Sequence, residues 1–194
     1  MKRTLHFVGI SGSLRKGSYN TMLLKAANKL LPEGGTMEIV EIGNLPLYND
    51  DLQSGTLPEA VISFREKLSI ADGFVIASPE YNYSVPGTLK NAIDWASRGK
   101  DSPLVGKPVA LMGATQGMWG TVRMQIAFRP IFQFLNMVPV NKPEVLVGQA
   151  QNKFDGDGNL MDEPTISIIR QQLKELARLA THAQIIKDIT TEQN

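Results

Sequence analysis

The stretch Gly73-Phe-Val-Ile-Ala-Ser78 contains no charged residue. A strand that is apolar on both sides must be covered on both faces, which is the situation of a parallel strand inside an α/β protein. Similar runs occur at 5–10 and 107–112, an alternating one at 37–42, and a last one at 138–147, expected in two pieces around Asn141-Lys-Pro143. Between them the apolar spacing changes to that of helices. The first helix is expected over 20–31, with Leu23, Ala27, Leu30 and Leu31 inward. The second runs over 58–70 from Pro58, with Val61, Phe64 and Leu68 on one face. In the third, over 87–97, Leu89, Ile93 and Ala96 share a side and Trp95 points away. The fourth spans 119–136 with a kink at Pro130, and the last starts near 164 and reaches the 180s.

Five strands alternating with five helices predict an α/β fold, a five-stranded parallel sheet in a three-layer sandwich. The common order for five strands is 2-1-3-4-5, the flavodoxin-like arrangement. Residues 43–57 read as a loop with apolar anchors, 149–161 as a hairpin or loop, and 188–194 as a frayed polar tail. With 194 residues and no repeat or linker, the expectation is a single domain over 1–194. A net charge of +1 gives no field to favour nucleic acid or an anionic membrane. The absence of cysteine excludes thiol catalysis, disulfides and thiolate metal sites. After Met1-Lys-Arg the apolar run lasts only about six residues and is broken by His6, too short for a signal-peptide core or a membrane span. A cytoplasmic location is expected.

In a sheet of this order, ligands sit beyond the carboxyl ends of the strands, at the switch point between the first and third. The most unusual loops, 11–20, 78–86 and 113–118, follow the first, third and fourth strands and so converge. The first is part of Gly9-Ile-Ser-Gly-Ser-Leu-Arg-Lys-Gly-Ser-Tyr-Asn-Thr21. It joins a strand to a helix, where free N–H groups and the helix dipole favour an anion. It adds hydroxyls at Ser11, Ser13, Ser18 and Thr21 and a cation at Arg15, with Ser18 or Asn20 able to cap the helix. Its glycines do not match Gly-x-Gly-x-x-Gly, and Ser18 stands where a nucleotide-triphosphate loop needs lysine. A cradle of this kind suits one terminal phosphate. The second loop, Ser78-Pro-Glu-Tyr-Asn-Tyr-Ser-Val-Pro86, is stiffened by Pro79 and Pro86 and carries Glu80, Tyr81, Asn82 and Tyr83, groups that can read a flat heterocycle. Phosphate and ring together point to flavin mononucleotide (FMN).

Gly12-Ser-Leu-Arg-Lys-Gly-Ser-Tyr-Asn20 and Pro79-Glu-Tyr-Asn-Tyr-Ser-Val-Pro-Gly-x-Leu-Lys-Asn-Ala-Ile-Asp-Trp95 resemble the two signatures of the NAD(P)H-dependent FMN reductase family, which includes quinone, chromate and azo-dye reductases. The resemblance extends to about residue 161. It implies a flavodoxin-like fold, FMN as cofactor, NADPH or NADH as co-substrate, a small-molecule electron acceptor, and a homodimer or homotetramer. By position it assigns Ser13, Arg15, Ser18 and Asn20 to the FMN phosphate and ribityl chain. Pro79, Glu80, Tyr81 and Asn82 would line the isoalloxazine, mostly through backbone. Thr115 stands at the small hydroxyl position of the third loop, while Gln116-Gly-Met-Trp119 departs from the pattern.

Flavin chemistry explains why no acid–base or nucleophile constellation is visible. His6 reads as a packed core histidine, His182 lies on the last helix, and no Gly-x-Ser-x-Gly elbow follows a central strand. Asp155-Gly-Asp-Gly-Asn159 lacks the glycine that a calcium loop needs, because Leu160 takes that place, so a hairpin turn is expected. The helix after 119 has two apolar stripes, Met124, Phe128, Ile131 and Leu135 against Trp119, Val122, Ile126 and Met137. One can cover the sheet and the other can meet a second subunit. A flavodoxin-type electron carrier is the alternative reading, against which the net charge of +1 counts, since such carriers are usually strongly acidic. A non-catalytic nucleotide-binding regulator is a third reading, disfavoured by the long second signature.

Overall fold

The computed structural model describes residues 4–192. Met1-Lys-Arg3 and the last two residues of the expected polar tail lie outside them. The strands are β1 Leu5–Ser11, β2 Gly35–Val40, β3 Gly73–Ala77, β4 Pro108–Ala114, β5 Val138–Pro139 and β6 Val145–Val147. All pair in parallel in the order β2-β1-β3-β4-β5, and β6 pairs β4 farther along. The last strand of the expected order is thus present as two short pieces on β4, on either side of Asn141-Lys-Pro143.

Every residue of β3 and β4 is buried, as their charge-free sequences require. Side chains alternate between two cores. Phe74, Ile76, Val109 and Leu111 face α3 (Glu59–Ser69), α4 (Gly87–Ala96) and α5 (Val122–Phe134), meeting Phe64, Leu89 and Phe128. Val75, Ala77, Ala110 and Met112 face α1 (Tyr19–Lys29) and α6 (Glu163–Glu192), meeting Leu23, Leu24, Ile169 and Leu173. Ser11 stands opposite Ala77, and Ala77 opposite Met112, so the carboxyl ends of β1, β3 and β4 lie along one rim.

Several details depart from the sequence reading. Trp95 does not point away from the core. It is fully buried, and its Nε1–H donates to the Pro46 carbonyl at 2.8 Å. The ring roofs the 43–57 segment, packing edge-on against Tyr48, and that segment carries a short helix, α2 (Asp50–Ser54). Met137, expected on the outward stripe, is buried, because the chain has left α5 and turns under toward β5. The final helix does not fray at 188 but continues through Glu192. His6 is half-buried rather than packed away, at the amino end of β1 and so opposite the rim, and His182 is exposed. The 155–159 segment is a turn. Phe154 bridges Leu160, and the Asp155 carboxylate accepts from the Asp157 and Asn159 backbone N–H groups. The hydrogen bonds from Asn159, side chain first, hold the Asp155 carboxyl below its ordinary range.

Candidate active site

The first rim loop leaves β1 at Ser11 and is stitched to β3 at once, the Gly12 N–H donating to the Ala77 carbonyl at 2.8 Å. A side chain at Gly12 would collide with the Ser78 hydroxyl, so glycine is what lets the loops after β1 and β3 touch. The Ser11 and Thr21 hydroxyls pair at 2.8 Å. Ser18 is the N-cap of α1. Its Oγ accepts from the Asn20 and Thr21 N–H groups at 3.2 and 3.4 Å, and the residue is buried. Asn20, also buried, donates its amide to the Ala114 carbonyl at 2.9 Å and accepts from the Ala114 N–H at 2.8 Å. The acceptor oxygens of Ser18 and both polar atoms of Asn20 are therefore engaged within the protein, clamping the first loop to the end of β4.

What remains open in this loop is residues 13–17. Ser13 is half-buried, and Leu14 to Gly17 are exposed. Among the described residues the N–H groups of Leu14, Lys16 and Gly17 have no acceptor, and the Arg15 guanidinium makes one bond, Nη2 to the Gly17 carbonyl at 2.8 Å. Unpaired backbone donors converging beside a guanidinium are the physical requirement of an anion cradle.

The second loop begins at buried Pro79. Tyr81 and Ser84 exchange N–H···O bonds at 3.2 and 3.0 Å, closing a two-residue turn. Asn82 and Tyr83 within it have φ of 49° and 63°. Asn tolerates that region, but for Tyr it stores strain, a feature concentrated at functional loops. Among the described residues the N–H groups of Glu80, Asn82 and Tyr83 have no acceptor, and the Tyr81 and Tyr83 rings are exposed.

The Glu80 side chain does not enter the rim. Its carboxylate accepts from the Arg123 and Met124 N–H groups at 2.9 and 3.1 Å and pairs with the Arg123 guanidinium at 3.4 Å. It caps α5, whose own N-cap residue, Thr121, lies in the left-handed region and gives no side-chain cap. An acid there also answers the positive helix end. Arg123 lies 4.1 Å from the Tyr83 ring centroid and 5.7 Å from that of Trp119. Neither the capping role of Glu80 nor Arg123 is visible in the sequence. In sequence Thr121 looks able to cap α5 itself, and only its left-handed backbone shows that it does not.

The third loop is held by the chain after it. The Thr115 N–H donates to the Val147 carbonyl at 2.9 Å, and Gln149 N–H to the Gly117 carbonyl at 2.9 Å. Thr115 Oγ1 accepts from the Gly117 N–H at 3.3 Å. Gln116 to Trp119 are exposed, and the N–H groups of Gln116 and Met118 have no acceptor among the described residues. One rim thus carries an exposed first loop with a cation and free backbone donors, further free donors in the loops after β3 and β4, and two exposed aromatic rings, a set of groups that suits a phosphorylated ring system such as FMN.

Comparison with known proteins decides the family. Residues 5–152 match the family described as NADPH-dependent FMN reductase. The chain belongs to that family. Both signature loops and the rim they build fall inside the matched span. Among relatives of this FMN reductase family member, an NAD(P)H-dependent FMN reductase of Pseudomonas aeruginosa is 48% identical over 176 residues, covering 91% of this chain and 95% of that protein. A quinone reductase of Escherichia coli is 41% identical over 190 residues, covering 95% of this chain and all of its own length. The solved structure of FerB, a flavoenzyme NAD(P)H:acceptor oxidoreductase from Paracoccus denitrificans, superposes with a TM-score of 0.83 at 31% identity, covering 92% of this chain and 98% of its own. The parallel sheet and flanking helices of the FMN reductase family are thus those found here. No helix among the described residues is long and apolar enough to cross a membrane.

Proposed function

We propose that this oxidoreductase takes hydride from NADPH or NADH and passes it, through FMN, to quinones or similar small acceptors. The observation that carries the reading is that three separate loops with unpaired backbone donors all follow strands ending on one rim. When bound, FMN would supply the ring that accepts and releases hydride. The Leu14, Lys16 and Gly17 N–H groups, with Ser13 and Arg15, hold its phosphate. Ser11 supports that loop through Thr21, and Ser18 and Asn20 fix its shape from beneath. The free N–H groups of Glu80 and Asn82 orient the ring edge, buried Pro79 stiffens the floor, Tyr81 walls the entrance, and Thr115 holds the third loop in register. Arg123, stacked between Tyr83 and Trp119, keeps a cation near the rim where an anionic acceptor would approach.

The chain acts as a homodimer or homotetramer in this reading. Ile126, Pro130 and Phe134 recur at one-turn spacing along the outer side of α5, and Phe134 is 85% exposed. That is a face a monomer has no reason to keep. The lack of cysteine and the near-neutral charge support a cytoplasmic setting. The test is to add NADPH and a quinone to purified protein loaded with FMN. Rapid NADPH oxidation that requires both flavin and quinone, and no protein partner, is expected. A flavin reduced only by light would support the electron-carrier alternative instead.

A further inference from the structure

A cleft of about 700 Å3 opens on the other side of the first rim loop, toward β2. Its walls come from Ser13 to Lys16 and from Thr21 and Lys25 on one side and from residues 39–43, the end of β2 and its exit, on the other. The apolar part of the lining is Ile39, Val40 and Ile42 with Leu14, Val40 and Ile42 being edges of the buried core. The polar lining is lopsided, with Arg15, Lys16 and Lys25 facing a single carboxylate, Glu41. Among the described residues neither Lys16, Lys25 nor Glu41 has an ion-pair partner. Two unpaired ammonium groups beside a hydrophobic floor describe a receptor for something flat and phosphorylated.

The position narrows the ligand. The FMN rim lies at β1, β3 and β4, and this cleft lies at β1 and β2, with the first loop as the shared wall. Neighbouring strands are about 4.8 Å apart, so the two sites are separated by roughly 10 Å, within the reach of an extended dinucleotide. The ligand must be able to present a second phosphorylated group while its other end reaches the flavin. Resting on the reading of this chain as an NAD(P)H oxidoreductase, we propose that this cleft binds the adenosine 2′-phosphate end of NADPH, with Lys16 and Lys25 gripping the 2′-phosphate and Ile39 and Ile42 under the adenine. The lone carboxylate, Glu41, is too outnumbered to repel that phosphate. The assignment gives this chain a preference for NADPH over NADH through two ammonium groups, on Lys16 and Lys25, that the flavin site does not use, although the first loop's backbone serves both.

The experiment uses FMN-loaded protein and adenosine 2′,5′-bisphosphate as the probe, with binding read by calorimetry and competition read against NADPH oxidation. The bisphosphate should bind, compete with NADPH, and bind better than AMP. Lys25→Ala should weaken bisphosphate binding and raise KM for NADPH about tenfold, the scale of one charge-assisted contact, while bound FMN per chain stays at the level of the unchanged protein. Failure of the bisphosphate to bind, or a Lys25→Ala change that weakens AMP and the bisphosphate equally, overturns the assignment. So does a loss of FMN, which would make the cleft part of the flavin site. If NADPH is not oxidised at all while the bisphosphate still binds, the hydride-transfer reading fails and the anion cleft stands alone.

Discussion

Asn20→Ala separates a brace from a ligand. Asn20 is buried, and both polar atoms of its amide pair with the backbone of one residue, Ala114, at 2.8 and 2.9 Å. Truncation leaves the Ala114 N–H and carbonyl unpaired beside a small void. Each abandoned buried group costs about 1–3 kcal/mol, so the variant should lose roughly 2–6 kcal/mol. For a chain of this size that corresponds to a fall in Tm of about 10 °C. The assay is urea unfolding of flavin-free protein, followed by the same measurement at saturating FMN. A brace acts whether or not ligand is present, so the urea midpoint should drop in both series with the slope unchanged. A ligand would weaken the protein only in the FMN series, because its contribution enters through binding linkage. A flavin-free variant as stable as the parent, with FMN affinity collapsed, would refute the bracing role and return Asn20 to the phosphate.

Arg15→Ala should do the opposite. Arg15 is exposed and its side chain makes one hydrogen bond, to the Gly17 carbonyl, so the flavin-free urea midpoint should hardly move while the FMN dissociation constant rises at least tenfold, read by flavin fluorescence. Glu80→Gln removes the charge that caps α5 and pairs with Arg123. It should cost about 1–2 kcal/mol in urea unfolding, and loosening of Arg123 should raise the KM for an anionic acceptor more than it lowers kcat. Asp162 accepts from the Thr165 hydroxyl and N–H at the start of α6, with Lys153 at 3.4 Å. The Thr165 hydroxyl first, then its N–H and Lys153, hold the carboxyl below the ordinary aspartate range. A depressed folded value means this stabilisation is complete above the unfolded value and disappears as pH falls through the lowered one. Asp162→Asn should therefore cost about 1 kcal/mol near neutral pH, and its deficit should shrink on acidification below about pH 4.

The fold was legible because its signals are local. Runs such as 73–78 and 107–112 cannot be anything but strands covered on both faces, and the alternation with helices leaves few ways to order them. Even the division of the last strand was readable, since Asn141-Lys-Pro143 cannot sit in a ladder. Trp95 was misread for an equally physical reason. Helical periodicity says which face meets the sheet, but not that a loop 49 residues away will fold over the opposite face and offer the Pro46 carbonyl to the indole. Burial by a loop leaves no period in the helix it covers.

The site was legible as a set of residue types and not as a set of roles. Ser18 and Asn20 look like ligands in sequence because hydroxyls and amides near a glycine turn are what a phosphate wants. They are also what a helix cap and a strand clamp want, and only the partner 94 residues away decides between the two for Asn20. Glu80 is the same case, a carboxylate in a ring-reading loop whose partner is the uncapped start of α5. The unpaired N–H groups of the rim loops, among the described residues, belong to Leu14, Lys16, Gly17, Glu80, Asn82, Tyr83, Gln116 and Met118, whose side chains differ widely from one another. Backbone recognition therefore writes itself into the sequence only as glycine, proline and turn spacing. The Ser18, Asn20 and Glu80 side chains brace these loops, and a binding role carried by N–H groups leaves no mark on the side chains beside them.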